Sequence, residues 1–115
     1  MSKKAVDPVI RFADMLSAMG AEPRLKIMRL LLSADPDGLV VGEIQEELGV
    51  PASTLSHHLE KLKNEGLITV QREGTFLRYT ADSEALKELL AFLYTECYSH
   101  GVVQADAVIQ VLRRR

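Results

Sequence analysis

The organisation of this chain is set by one amphipathic helix that lies between two helix breakers, Pro51 and Gly66. Proline is favoured at the start of a helix and glycine just after its end, so the pattern predicts a helix over residues 52–65. At about 100° per residue, one side of this helix carries a leucine stripe: Leu55, Leu59 and Leu62. The stripe is the side expected to pack into a core.

The side of the helix opposite the leucines is small, polar and rich in hydrogen-bonding groups. The candidate DNA-contacting residues are Ser53, His57 and Lys61 on this side, Thr54 on its flank, and Ser56. Hydroxyl and imidazole groups can reach base edges in a major groove, and a lysine can reach a phosphate. The solvated face of an ordinary amphipathic helix has a similar composition, so the helix alone leaves both interpretations open.

The segment before this helix favours the DNA-reading interpretation. Residues 42–48 predict a short helix that ends at Gly49. Two short helices joined by a tight, glycine-containing turn form a helix-turn-helix. The predicted second helix of that motif is the one whose polar side is described above.

The segment after the helix predicts a two-stranded wing. Residues 67–72 and 76–80 alternate as strands do, and Glu73-Gly74-Thr75 is the predicted loop between them. A wing directly after a helix-turn-helix is a much rarer order of elements than an amphipathic helix. Arg72 and Arg78 flank the wing tip, where phosphate contacts are expected.

Other helices are predicted by caps and apolar periodicity over residues 8–19, 22–33, 83–99 and 102–112. The helix over 22–33 is apolar nearly all round, which predicts a central, buried position. The first and fifth helices carry more apolar surface than a lone winged helix covers. We therefore expect a two-fold interface lined by Val9, Phe12, Leu89, Leu93 and Cys97.

The composition fits one small domain outside the membrane. The chain has 115 residues, of which 47% are apolar and 26% charged, and no apolar run reaches the roughly 20 residues of a bilayer span. One cysteine excludes an intrachain disulfide, which fits a reducing cytoplasm. We predict a mainly α-helical, dimeric winged helix-turn-helix domain over residues 1–115, with 1–20 and 82–115 also serving dimerisation.

The sequence also contains three groups of motifs within residues 6–98: FADMLSAMG (12–20) with PRLKI (23–27), VGEI (41–44) with LGVPASTLSHHL (48–59), and NEGLI (64–68) with REG (72–74). They resemble, in this order, the opening, the helix-turn-helix and the start of the wing in ArsR/SmtB-family repressors. The resemblance implies a homodimer that binds double-stranded operator DNA, represses its own operon and releases DNA when an inducer binds.

The metal-binding patterns of that family are missing here. Val40 and Gly42 occupy the positions of its Cys-x-Cys site, and the fifth helix lacks the upstream Asp-x-His of its second site. Neither a metal nor a cofactor is predicted. Cys97 and His100 are three residues apart and would share a helical face, which makes them a candidate inducer or thiol site. The alternative is that Cys97 is a packed residue at the dimer seam.

Two further expectations concern histidine and function class. His58 lies near the edge of the leucine stripe and is expected to pack or hydrogen-bond within the protein rather than contact DNA. No phosphate loop, nucleophile elbow or metal triad is present in the sequence, so an enzyme is not predicted. The alternative function is a winged-helix protein-interaction module that does not bind DNA.

Overall fold

The computed structural model describes the backbone of residues 7–97 and the side chains of residues 7–96. In order, this part forms α1 (Pro8–Met19), α2 (Glu22–Ser33), β1 (Leu39–Val40), α3 (Val41–Leu48), α4 (Ala52–Asn64), β2 (Ile68–Glu73), β3 (Phe76–Ala81) and α5 (Ser83–Phe92). The predicted fold class, mainly helical with a hairpin wing, is confirmed. The chain divides into two compact units, one ending at Ser83 and the other beginning at Glu84.

The core of the first unit forms around the leucine stripe of α4. Leu55, Leu59 and Leu62 are at most 1% exposed. The other fully buried side chains of this unit come from α1, α2, α3 and the start of the wing: Met15, Ile27, Met28, Leu31, Ile44, Leu67 and Ile68. Burying these groups supplies most of the hydrophobic driving force of a domain this size.

Helix α2 differs from the prediction of a helix buried nearly all round. It buries one face, formed by Ile27, Met28 and Leu31, whereas Leu25 is 56% exposed. At about 100° per residue, position 25 lies more than a quarter turn from the centre of that face. Helix α2 therefore carries more apolar residues than it buries within a single chain.

A three-stranded sheet of order β1-β3-β2 links the wing to the helix-turn-helix. Strand β1 pairs antiparallel with β3, and its last residue, Val40, is directly followed by α3. The wing loop is Gly74-Thr75, because Glu73 pairs with Phe76 at the end of the β2–β3 ladder. The predicted three-residue loop is therefore wrong by one residue, and Glu73 belongs to the strand.

Close packing fixes the turn before β1. Gly38 has a φ of +73°, and a Cβ built on it would lie 2.3 Å from the carbonyl oxygen of Tyr79 in β3. Both conditions exclude a side chain, since the left-handed region is strained for other residues and the space is occupied. The residue type at position 38 therefore decides how closely this turn approaches the wing.

Helix α1 carries apolar residues on its outer side as well as on the side that faces the core. The Asp7 carboxylate accepts a hydrogen bond from the Val9 N–H at 2.8 Å and caps the helix. Phe12, Met15 and Ala18 are buried. Val9, Ile10 and Leu16, on the other side, are 58%, 56% and 43% exposed. Phe12 is 7% exposed, so its expected place in an interface is wrong and it belongs to the core.

The second unit begins with most of α5. Leu89 is 2% exposed and Leu90 is 45% exposed, so the expectation that Leu89 lines an interface is also wrong. The predicted α-helix to Ser99 ends at Phe92, and a π-helical segment, Leu93–Cys97, follows. Thr95 Oγ1 donates to the Ala91 carbonyl at 2.8 Å, a local bond that competes with the regular ladder. Ser99 and the predicted sixth helix lie outside the described residues.

None of the helices within residues 7–97 has the length and hydropathy of a bilayer span.

Candidate nucleic-acid interface

Local constraints at both ends of the turn position α4 against α3. Gly49 has a φ of 65°, and its N–H donates to the Gln45 carbonyl at 2.8 Å, which ends α3. Pro51 is the N-cap of α4, and its carbonyl accepts from the Leu55 N–H at 2.9 Å. Glycine thus ends α3 and proline begins α4, as their backbone preferences favour. The predicted helix-turn-helix is confirmed as a structural unit.

The predicted DNA-contacting residues of α4 lie together on its exposed side. Ser53, Thr54, Ser56, His57 and Lys61 are all exposed. Ser53, His57 and Lys61 lie opposite the buried leucines, and Thr54 and Ser56 lie on the two flanks. The first turn of α4 contains no acidic residue, and its last turn carries Lys61 and Lys63. The start of the helix therefore presents hydroxyl and imidazole groups beside the positive end of the helix dipole, an arrangement that favours an anionic partner.

His58 does what was expected of it and forms a hydrogen bond within the protein. Its Nδ1 lies 3.2 Å from an Nη1 of Arg24 in α2. Arg24 Nε also donates to the carbonyl of Ala18 in α1. One guanidinium thus connects α1, α2 and α4.

The surroundings of His58 disfavour its protonation. Burial lowers the pKa of His58 from its usual value of 6.5, and the nearby positive groups of Arg24, His57 and Lys61 lower it further. A neutral ring keeps Nδ1 free to accept from the guanidinium. The His57 and His58 ring centroids are 6.0 Å apart and the rings are tilted, so the two do not stack face to face.

The wing separates the two arginines that the sequence groups together. In the β2–β3 register Arg72 is opposite Leu77, whereas Arg78 is opposite Gln71. Because side chains of successive residues alternate between the faces of a sheet, Arg72 and Arg78 lie on opposite faces of the hairpin. Arg72 is exposed and forms no ion pair with the residues that the structure describes.

Arg78 is instead engaged by the protein itself. Its Nε donates to Glu73 Oε1 at 2.9 Å, and its Nη1 donates to the carbonyls of Asp37 and Gly38, each at 3.4 Å. The hydrogen bond to Glu73 is the main cause that raises the pKa of Arg78 above its usual value. The phosphate contact predicted for Arg78 remains a prediction, and it competes with this set of bonds.

Sequence reasoning missed the pairs Glu73–Arg78 and Arg24–His58. The first was within reach, because a two-residue loop places Glu73 diagonally across from Arg78 on the same face. The three-residue loop assumed from the sequence shifts that register by one and hides the pair. The second joins residues 34 positions apart, and no local pattern signals it.

The candidate inducer site is only partly described. Cys97 ends the π-helical segment, while its side chain and all of His100 lie outside the described residues. Among the side chains that are described, no group of three or more His, Cys, Asp or Glu residues is arranged to hold a metal ion.

A helix-turn-helix with an exposed polar second helix, followed by a hairpin wing, defines a winged-helix DNA-binding protein. The profile of the bacterial regulatory proteins of the arsR family matches residues 22–70. The chain is 36% identical over 78 residues to the uncharacterized HTH-type transcriptional regulator MJ1325 of Methanocaldococcus jannaschii, covering 68% of this chain and 85% of that protein. It is 33% identical over 94 residues to the transcriptional activator HlyU of Vibrio cholerae, covering 82% and 81%.

Solved structures agree with these sequence relatives. Reduced HlyU from Vibrio cholerae superposes with a TM-score of 0.63 at 32% identity, over 75% of this chain and 87% of that one. Mb0332 of Mycobacterium bovis, described as a homodimeric winged helix-turn-helix DNA-binding domain, gives a TM-score of 0.65 at 27% identity, over 87% and 90%. This chain belongs to the arsR family of transcriptional regulators, which are DNA-binding proteins and not enzymes.

Proposed function

We propose that this chain is a homodimeric repressor that binds a palindromic operator and leaves it when an inducer binds. The observation that carries the proposal is the exposed side of α4, where Ser53, Thr54, Ser56, His57 and Lys61 stand above a fully buried leucine stripe. We assign base contacts to Ser53, Thr54 and His57, and phosphate contacts to Lys61 and to Arg72 on the wing. A regulator of this kind works in the prokaryotic cytoplasm, where the chromosome lies.

The test of DNA binding is a fluorescence-anisotropy titration of the upstream region of its own gene at several salt concentrations. Phosphate contacts release counterions, so the logarithm of the binding constant must fall linearly with the logarithm of salt concentration. Specific binding also requires a clear preference over random DNA of equal length. Binding without salt dependence or without preference contradicts the proposal and favours a protein-interaction module.

The homodimer is supported by the outer side of α1. Val9, Ile10 and Leu16 are each more than two-fifths exposed in the single chain, and a contiguous apolar surface on a small protein marks an interaction site. Mb0332, a structural relative, is described as homodimeric. We propose that α1, together with residues 82–115, forms the two-fold interface, so that two copies of α4 face successive major grooves.

Repression is proposed rather than activation, although the relatives include both. HlyU is described as an activator, and a relative from Halobacterium salinarum, 37% identical over 80 residues, as a putative arsenical resistance operon repressor. A reporter driven by the chain's own promoter decides between them. Higher expression after deletion of the gene supports a repressor, and lower expression shows an activator.

We further propose that Cys97 and His100 form the inducer site, through soft-ion binding or oxidation of the thiol. A structural relative described as reduced HlyU makes oxidation worth testing first. The experiment measures release of bound DNA by arsenite, antimonite, zinc and polysulfide, for wild type and Cys97→Ser. Unchanged DNA binding with lost induction supports the site, whereas normal induction of the variant removes Cys97 from the mechanism.

A further inference from the structure

Arg78 joins the far part of the wing to the turn before β1. Its guanidinium holds Glu73, the last residue of β2, through a 2.9 Å bond between Nε and Oε1. The same group donates from Nη1 to the backbone carbonyls of Asp37 and Gly38. A planar guanidinium can serve such partners at once because its donors point in fixed, divergent directions.

The turn that Arg78 holds is rigidly connected to the helix-turn-helix. Gly38 packs so tightly on β3 that no Cβ fits, and two residues later Val40 pairs with Arg78 in the sheet. The Val40 N–H donates to Glu43 Oε1 at 2.9 Å at the first turn of α3. A continuous set of contacts therefore runs from the wing through Arg78 to the start of α3.

The charges around Arg78 argue against a role as a phosphate contact. The carboxylates of Glu73, Glu43 and Asp37 all lie close enough to stabilise its positive charge. A phosphate that approached Arg78 would meet these negative groups as well, and would have to displace bonds already made. Arg72 lies on the opposite face of the wing and forms no ion pair with any described residue.

We propose that Arg78 is a positioning residue, which sets the placement of the wing relative to α3 through Glu73 and the carbonyls of Asp37 and Gly38, while Arg72 makes the wing's phosphate contact. The inference rests on the proposed function, because it assigns roles within the same DNA-binding surface. Under this proposal, Arg78 and Arg72 are not two equivalent phosphate contacts. Arg78 is a structural link, and its loss would misplace Arg72.

The direction in which one substitution changes operator affinity distinguishes a positioning role of Arg78 from a phosphate contact. Glu73→Ala removes a negative charge from the wing and frees Arg78. If Arg78 contacted phosphate, the variant would bind operator DNA more tightly. If Arg78 positions the wing through Glu73, the variant binds more weakly, by about fivefold or more, corresponding to the loss of about 1 kcal/mol. Binding as tight as wild type or tighter overturns the proposal.

Two arginine variants give an independent readout. Lysine keeps the charge but not the fork of donors, so Arg78→Lys and Arg78→Ala should weaken operator binding alike, and Arg78→Ala should cause no further loss in a chain that already carries Arg72→Ala. The matched control is Arg72→Ala in the same hairpin, which should lower the salt slope by about one. Rescue of binding by lysine, or an additional loss of binding when Arg78→Ala is added to Arg72→Ala, overturns the proposal.

A double variant tests whether the two side chains act as a unit. Glu73→Ala with Arg78→Ala should bind operator DNA no more weakly than the weaker single variant, because both substitutions break one link. Independent effects that add in the double variant overturn the proposal. Circular dichroism of every variant confirms that it is folded. If folded wild-type protein shows no salt-dependent operator binding, the proposed function itself has failed, which is a result distinct from all of these.

Discussion

The Arg24 guanidinium lies 3.2 Å from Nδ1 of His58 and also donates to the carbonyl of Ala18, so one side chain of α2 ties the DNA-facing helix α4 to the end of α1. His58 must be neutral to accept this bond. Its neighbour in sequence, His57, points outward to the proposed DNA surface. The inner histidine therefore supports the helix that presents the outer one.

Acid should weaken this link and destabilise the fold. The pKa of His58 is lowered in the folded protein from the ordinary value of 6.5, so the unfolded chain binds the extra proton first as pH falls. The stabilising contribution is complete above pH 6.5 and is lost as the pH falls through the folded-state pKa. We expect His58→Asn, whose Oδ1 can still accept from Arg24, to lose less thermal stability between pH 7.5 and 5.5 than wild type. Equal losses measured by calorimetry would contradict this assignment.

Base recognition should depend on His57. Removing a good base contact costs about 1–3 kcal/mol of discrimination, so His57→Ala should lower the ratio of operator to random-DNA affinity by that amount. Lys61→Ala is the contrasting variant, since a lost phosphate contact weakens both affinities alike and lowers the salt slope by about one. An unchanged specificity ratio in His57→Ala would show that another face of α4 reads the bases.

The turn at Gly38 should tolerate no other residue. Gly38→Ala combines left-handed backbone strain of about 1–2 kcal/mol with overpacking of about 1–3 kcal/mol, because its Cβ meets the Tyr79 carbonyl at 2.3 Å. Gly74→Ala is the matched control: its φ is +64° and nothing lies within 4 Å of its Cβ, so only the backbone strain remains. Urea unfolding of both variants measures the difference. Equal destabilisation would mean that the close approach at Gly38 has no energetic weight.

The dimer should depend on the outer side of α1. Ile10 is 56% exposed in the single chain, and we expect Ile10→Glu to shift the protein to monomers at micromolar concentration, because an interface cannot bury an unpaired carboxylate cheaply. Ser33→Glu adds the same charge at the exposed end of α2 and should remain dimeric. Sedimentation velocity decides, and a dimeric Ile10→Glu variant would place the interface elsewhere.

Local patterns were sufficient for most of the fold. The caps and breakers at Asp7, Gly49 and Pro51 act over a few residues, so the helices that they limit were predictable to within about one residue. The leucine stripe of α4 was predictable for the same reason. Whether an apolar residue of α1 or α2 faces the core or solvent depends on the neighbouring elements, which is why Phe12 and Leu25 were misassigned.

The site was less predictable than the fold, because its decisive bonds connect distant segments. Exposure of the polar side of α4 followed from helical periodicity. The engagement of Arg78 depended on a one-residue detail of the wing loop and on a turn about 40 positions earlier in the chain. The sequence position of a charged residue near the wing tip is thus not sufficient to assign its role.

Val40 belongs at once to the sheet and to the start of α3, since it pairs with Arg78 and its N–H is held by Glu43. The sheet that contains the wing and the helix-turn-helix therefore meet at Val40, with no linker between β1 and α3. Tilting the wing alone would break that pairing. For the release from DNA proposed above, we therefore expect the wing and the helix-turn-helix to move as one unit, so that an inducer would act by changing the distance between the two such units of the proposed dimer.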